Sequence, residues 1–165
     1  MSAALVSVVG GLVGGLLGAG VMSAGHALVT AIVRPPATPP AAREDDATVK
    51  VANRGSLIVR GRALDEREKP AAGTLVHYGF GAAMGGIYGI VSAASPAVVG
   101  AGAGAGFGLA VWFGAHAIVV PALGLAPSPL REPAAKEVRE LILHIAYGLT
   151  VGLAHGAAVR IATRA

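Results

Sequence analysis

The stretch PAAGTLVHYGFGAAMGGIYGIVSAASPAVVGAGAGAGFGLAVWFGAHAIVVPALGLAPSPL, from Pro70 to Leu130, runs for 61 residues without an Asp, Glu, Lys or Arg. A membrane-spanning helix needs about 20 predominantly apolar residues. The stretch is therefore too long for one span and fits two, joined by a tight turn at Ala94-Ser95-Pro96-Ala97. Shorter charge-free stretches lie on either side, at 2–33 and 141–159. Over the whole chain 54% of residues are hydrophobic and 13% charged, whereas a soluble domain carries about 25% charged residues. These features predict an all-α, multi-pass integral membrane protein: one membrane domain over 1–165 with spans at about 5–33, 74–94, 98–124 and 139–160. The first apolar run follows no Lys or Arg and exceeds the about 7–15 residues of a signal peptide core, so it reads as a mature helix. Cysteine is absent, which excludes disulfides, thiolate metal sites and thiol catalysis.

The polar loop 34–73 separates the first two spans. Pro35-Pro36 and Pro39-Pro40 stop the preceding helix. Asp45 or Asp46 then caps a candidate interfacial helix over about 47–60, in which Val51, Leu57 and Ile58 alternate with Lys50, Arg54 and Arg60. Eleven of the 13 Lys and Arg residues fall in the two loops on this face of the membrane, leaving Arg160 and Arg164 opposite. By the positive-inside rule both loops are cytoplasmic and both ends lie outside.

Each span carries glycines four residues apart, which share one ridge of a helix: Gly10, Gly14 and Gly18; Gly81, Gly85 and Gly89; Gly100, Gly104 and Gly108; Gly148, Gly152 and Gly156. Without side chains there, helix backbones approach closely, so the expectation is a four-helix glycine-zipper bundle. Homo-oligomerisation through leftover glycine faces is the alternative use of the same pattern. The spans also repeat. Span one aligns with span three at an offset of 90, placing His26 on His116, and span two with span four at an offset of 67, placing His77 on His144. Two duplicated helical hairpins follow, each expected to bury its glycine ridge against the other around a pseudo-twofold axis along the membrane normal.

Counted at 1.5 Å per residue, His26, His77, His116 and His144 all fall roughly 5–12 Å below the loop face. His155 is a fifth, about three turns from His144 on the same helix face. Intramembrane ionisable groups are candidates for function. Three uses stand open: hydrogen bonding that fixes helix register, passage of protons or a solute, and ligation of a metal or haem by His26, His77, His116 and His144. Glu140 and Glu137 lie at the mouth, placed to orient His144 or attract cations. Tyr78, Tyr88 and Tyr147 are candidates for interfacial belts or for partners of the histidines, and Trp112 reads as a packing residue or a platform. Motifs of soluble enzymes, paired catalytic carboxylates and nucleic-acid signatures are absent, and no metal site is assigned.

The blocks VHYGFGAAMGGIYG from Val76, GFGLAVWFGAHAIVVPALGLAPSP from Gly106 and ELILHIAYG from Glu140 resemble the YagU-like bacterial inner-membrane proteins, a family of unknown function. The resemblance covers spans two to four, fits His77, Tyr88, Trp112, His116, Pro121, Glu140 and His144, implies the bacterial inner membrane, and adds no catalytic residue, cofactor or ligand. The reading of the whole chain is a non-enzymatic plasma-membrane protein, acting in envelope or acid-stress tolerance through its histidine layer, with the lipid bilayer as partner and no nucleic acid. The alternatives are a small transporter or proton-conducting channel, and a haem- or metal-binding electron carrier.

Overall fold

The computed structural model describes residues 2–34, 44–95 and 100–164. Among them there is no strand. Helix α1 spans Ala3–Val33, α2 Ala47–Arg60, α3 Lys69–Ala94, α4 Ala101–Ala122 and α5 Ala134–Ala162, with a 3-10 turn at Pro129–Arg131 before α5. The paired prolines at 35–40, and the Pro96-Ala97 part of the expected turn, lie outside the described residues.

Local chemistry sets the helix ends. Ser2 caps α1, accepting from the amide of Leu5, and a side-chain oxygen there satisfies a donor the helix cannot. Asp46 does the same for α2, accepting from the amide of Val49 at 2.9 Å and from the Thr48 hydroxyl at 2.7 Å. Gly61, with φ of 68°, ends α2 in the left-handed conformation that favours glycine. The helix expected at 47–60 is therefore present, although the sequence left Asp45 and Asp46 as equal caps. α3 and α5 each start about a turn earlier than expected. Pro70 and Pro133 sit at their starts, where a missing N–H costs nothing.

α1, α4 and α5 are long and apolar enough to cross a membrane, but α3 is long without being apolar enough. Its glycines, together with Thr74, His77, Tyr78, Tyr88 and Ser92, dilute it. The third span is also not a uniform α-helix: Trp112–Val119 is π-helical.

The helices pack in the order α3, α1, α5, α4. Gly11 lies against Gly85 and Gly15 against Gly81, so α1 and α3 run antiparallel with backbones touching. α4 and α5 repeat the arrangement, Gly104 lying against Gly148 and Gly108 against the His144 carbonyl. A methyl group on Gly15 would stand 3.0 Å from Ala82 Cα, and one on Gly104 3.0 Å from Gly152 Cα. These ridges close within each hairpin, not against the other hairpin as expected. The contact across hairpins is made by the neighbouring ridge of α1. A methyl on Gly14 would stand 3.0 Å from the Val151 carbonyl oxygen, and Gly10 and Gly18 face Ala158 and Tyr147 of α5. Gly89 meets Ser7 and Val8 of α1, whereas Gly156, placed in the packing set by its spacing, faces the Arg160 side chain of its own helix.

Leu5, Leu16, Leu28, Ile32, Ile90, Leu109, Phe113 and Leu153 point outward, while glycines and a few polar groups fill the interior. That inversion suits a protein whose solvent is hydrocarbon. At the loop end, α2 crosses the start of α3 with Val49 over Gly73 and reaches the end of α4, where Arg54 donates to the Leu123 carbonyl at 3.1 Å.

Candidate functional site

The four histidines expected to form one ring are divided among distinct partners. His26 from α1 and His116 from the π-helical turn of α4 both meet the first turns of α5. His116 Nε2 lies 3.0 Å from Glu137 Oε2, and His26 Nε2 lies 3.5 Å from Glu140 Oε2. The two carboxylates are three residues apart, so they share a face of α5, and its N-terminal position favours negative charge there. Their side chains are only 11% and 13% exposed. Carboxylates this desolvated depend on their partners. The other charged groups at this end of α5 are Arg139, 3.8 Å from Glu140, and Lys136, 3.0 Å from Glu132.

His144 does not receive a carboxylate, as the sequence suggested. Its Nδ1 donates to the Glu140 backbone carbonyl at 2.8 Å, leaving Nε2 as an acceptor. Its ring stands 5.6 Å from that of His116, which stacks on Trp112 at 6.1 Å with 24° between the planes. Trp112 therefore backs the cluster, and its indole nitrogen is buried without a hydrogen bond. His77 is apart: its Nε2 donates to the Ala19 carbonyl of α1 at 3.1 Å. Both His77 and His144 line a cavity of about 70 Å³ at the junction of α1, α3, α4 and α5.

His155 sits deeper. The Ser7 hydroxyl donates to the Gly89 carbonyl at 2.8 Å, so it accepts from His155 Nε2 at 2.7 Å. His155 Nδ1 is buried without a hydrogen bond, and the ring stands edge-on to Tyr88 at 5.3 Å. Tyr147 donates to the Gly81 carbonyl at 2.6 Å. Between the mouth cluster and His155 the interior is occupied by Tyr147, Val151 and Tyr88, all at most 3% exposed.

Among the described residues, no three His, Asp or Glu side chains are grouped to hold a metal ion. His26, His77, His116 and His144 do not converge on a point. Sequence reasoning missed Ser7 as a hydrogen-bonding residue, and Tyr147, expected in an interfacial belt or beside the histidines, bonds the Gly81 carbonyl instead. The signal for Ser7 was its place in the glycine ridge four residues before Gly11, where a small side chain faces a foreign carbonyl.

Residues 56–153, from the middle of α2 to most of α5, match the family model described as Protein of unknown function (DUF1440). No curated protein and no solved structure gives a significant match. With more than half of its length matched, the chain belongs to the DUF1440 family of proteins of unknown function.

Proposed function

We propose that the chain is a non-enzymatic, four-span protein of the bacterial inner membrane, in which His26 and His116 form an acid-strengthened latch on the carboxylates of α5. The likeness to YagU-like proteins in three blocks supports that location. Support for the fourth span comes from α3 lying backbone to backbone along α1, from Gly89 beside Val8 to Gly81 beside Ala19. A helix so closely applied to a spanning helix shares its depth. The same glycine contacts support the zipper.

The contacts also support the duplication, at a register the sequence did not suggest. A shift of 89 carries Gly11 and Gly15 onto Gly100 and Gly104, and a shift of 67 carries Gly85 and Gly81 onto Gly152 and Gly148. The pairs Gly11–Gly85 and Gly15–Gly81 thereby become Gly100–Gly152 and Gly104–Gly148, all of which are in contact. A π-helical turn accommodates one inserted residue. Within the turn at Trp112–Val119 the shift becomes 90, and His26 then corresponds to His116. The inserted residue brings the second histidine round to α5. The repeat departs from twofold packing where α3 meets α4: Phe107 and Tyr88 stand there with ring centres 5.2 Å apart, bulk that glycines do not impose between α1 and α5.

The observation that carries the latch is the pair of histidine–carboxylate contacts at 3.0 and 3.5 Å, made from two different spans onto one helix end. A neutral imidazole offers the Glu137 carboxylate one N–H; a protonated one adds the attraction of opposite charges to that hydrogen bond. Protonation of either imidazole would therefore tie α1 or α4 more firmly to α5. His144, Arg139, Lys136 and Glu132 are the other titratable or charged groups at this end. The proton-channel alternative has less support, because Tyr147, Val151 and Tyr88 close the interior below the cluster. Thermal unfolding of the purified protein in detergent tests the latch. The parent gains stability between pH 8 and pH 5 relative to a His26→Gln/His116→Gln variant, and equal pH profiles for the two would remove the proposal.

A further inference from the structure

The cavity of about 70 Å³ lies where the proposed repeats meet. Its walls come in corresponding pairs: Met22 and Val111 at the shift of 89, His77 and His144 at the shift of 67, and Phe80 and Tyr147 at the same shift. Sites between repeats are common places for small solutes in membrane proteins.

The polar groups around it are all of one kind. His77 has committed its Nε2 proton to Ala19, His144 its Nδ1 proton to Glu140, and Tyr147 its hydroxyl proton to Gly81. What remains is His77 Nδ1, His144 Nε2 and the second lone pair of the Tyr147 oxygen, which are acceptors. An anion finds no donor here. A bare alkali or alkaline-earth ion finds too few oxygens. A solute that donates hydrogen bonds fits, and a volume of about 70 Å³ suits one of a few heavy atoms. The rings of Phe80 and Tyr147 suit a small cation.

We propose that the cavity between His77 and His144 binds a small N–H donor of the ammonium class, ammonium or methylammonium. The site is separate from the His26 and His116 contacts and does not depend on the latch.

The test uses the full chain, labelled with ¹⁵N in its histidine rings and held in detergent micelles at constant pH. It is titrated with ammonium, methylammonium, tetramethylammonium or sodium chloride at equal ionic strength. Ammonium and methylammonium should shift the His77 and His144 ring signals saturably and leave His155 unmoved. Tetramethylammonium, which has no N–H, and sodium should produce no such shift. Met22→Phe fills the cavity without removing an acceptor and should weaken the effect about tenfold or more. Absence of a shift, equal shifts in all four salts, shifts confined to His26 and His116, or unchanged binding in a folded Met22→Phe protein would each overturn the assignment. If that variant does not fold, the titration of the parent decides alone.

Discussion

His116 Nε2 and Glu137 Oε2 stand 3.0 Å apart, joining the π-helical turn of α4 to the first turn of α5. The link spans the loop that carries Gly124, the 3-10 turn and three prolines at 127, 129 and 133, so it fixes the angle at which α5 enters the bundle. His26 makes the corresponding contact from α1. Two helices that share no glycine ridge are thereby tied to the same helix end.

Glycine substitutions should divide sharply by position. A Cβ at Gly85 would fall 2.7 Å from Gly15 Cα, against backbone that has nowhere to go, whereas a Cβ at Gly106 meets nothing within 4 Å. Gly85→Ala should therefore lose about 1–3 kcal/mol of stability through overpacking. Gly106→Ala should be neutral or gain up to about 1 kcal/mol from helix propensity. Thermal unfolding in one detergent checks both, and equal loss in the two variants would count against backbone-to-backbone packing.

Glu68 offers a pH test outside the membrane. Arg62 binds its carboxylate at 2.7 and 2.8 Å, and Arg60 and the Asp65 amide add to this. The Arg62 hydrogen bond, more than any other contact, lowers its pKa from 4.5 to about 2. A depressed folded-state value means that the link is fully present above about pH 4.5 and is lost as the pH falls towards 2. Carboxyl ¹³C shifts of the labelled protein should show Glu68 titrating well below the ordinary carboxylate range. Titration of Glu68 near the ordinary value would contradict the assigned network.

Orientation follows from charge alone. A reporter joined after Ala165 should be active in the periplasm, and one inserted beside Asp65 should be active in the cytoplasm. The reverse pattern would invert the topology while leaving the helix contacts as they are.

Much of the architecture is legible in the sequence because charge-free length and glycine spacing report directly on helices in lipid. The α2 helix is legible from Asp46 and its amphipathic pattern. The π-helical turn is not, since Trp112–Val119 contains no local feature that demands it and the extra residue matters only against α5. α1 holds two glycine ridges side by side, Gly10-Gly14-Gly18 and Gly11-Gly15, and spacing cannot say which one faces which helix. An alignment at 90 therefore matched the histidines and chose the ridge that crosses to α5. The partners of the histidines were not legible. Backbone carbonyls of Ala19 and Glu140, which take up His77 and His144, leave no mark in a sequence.

The most direct test of the latch is a double-mutant cycle between His116→Gln and Glu137→Gln, run by thermal unfolding at pH 5 and at pH 8. The coupling between the two positions should be favourable at both and larger at pH 5 by about 1 kcal/mol, as an ion pair replaces a neutral donor's bond to the carboxylate. A coupling that is zero, or that does not change between the two pH values, would contradict an acid-strengthened contact between these residues.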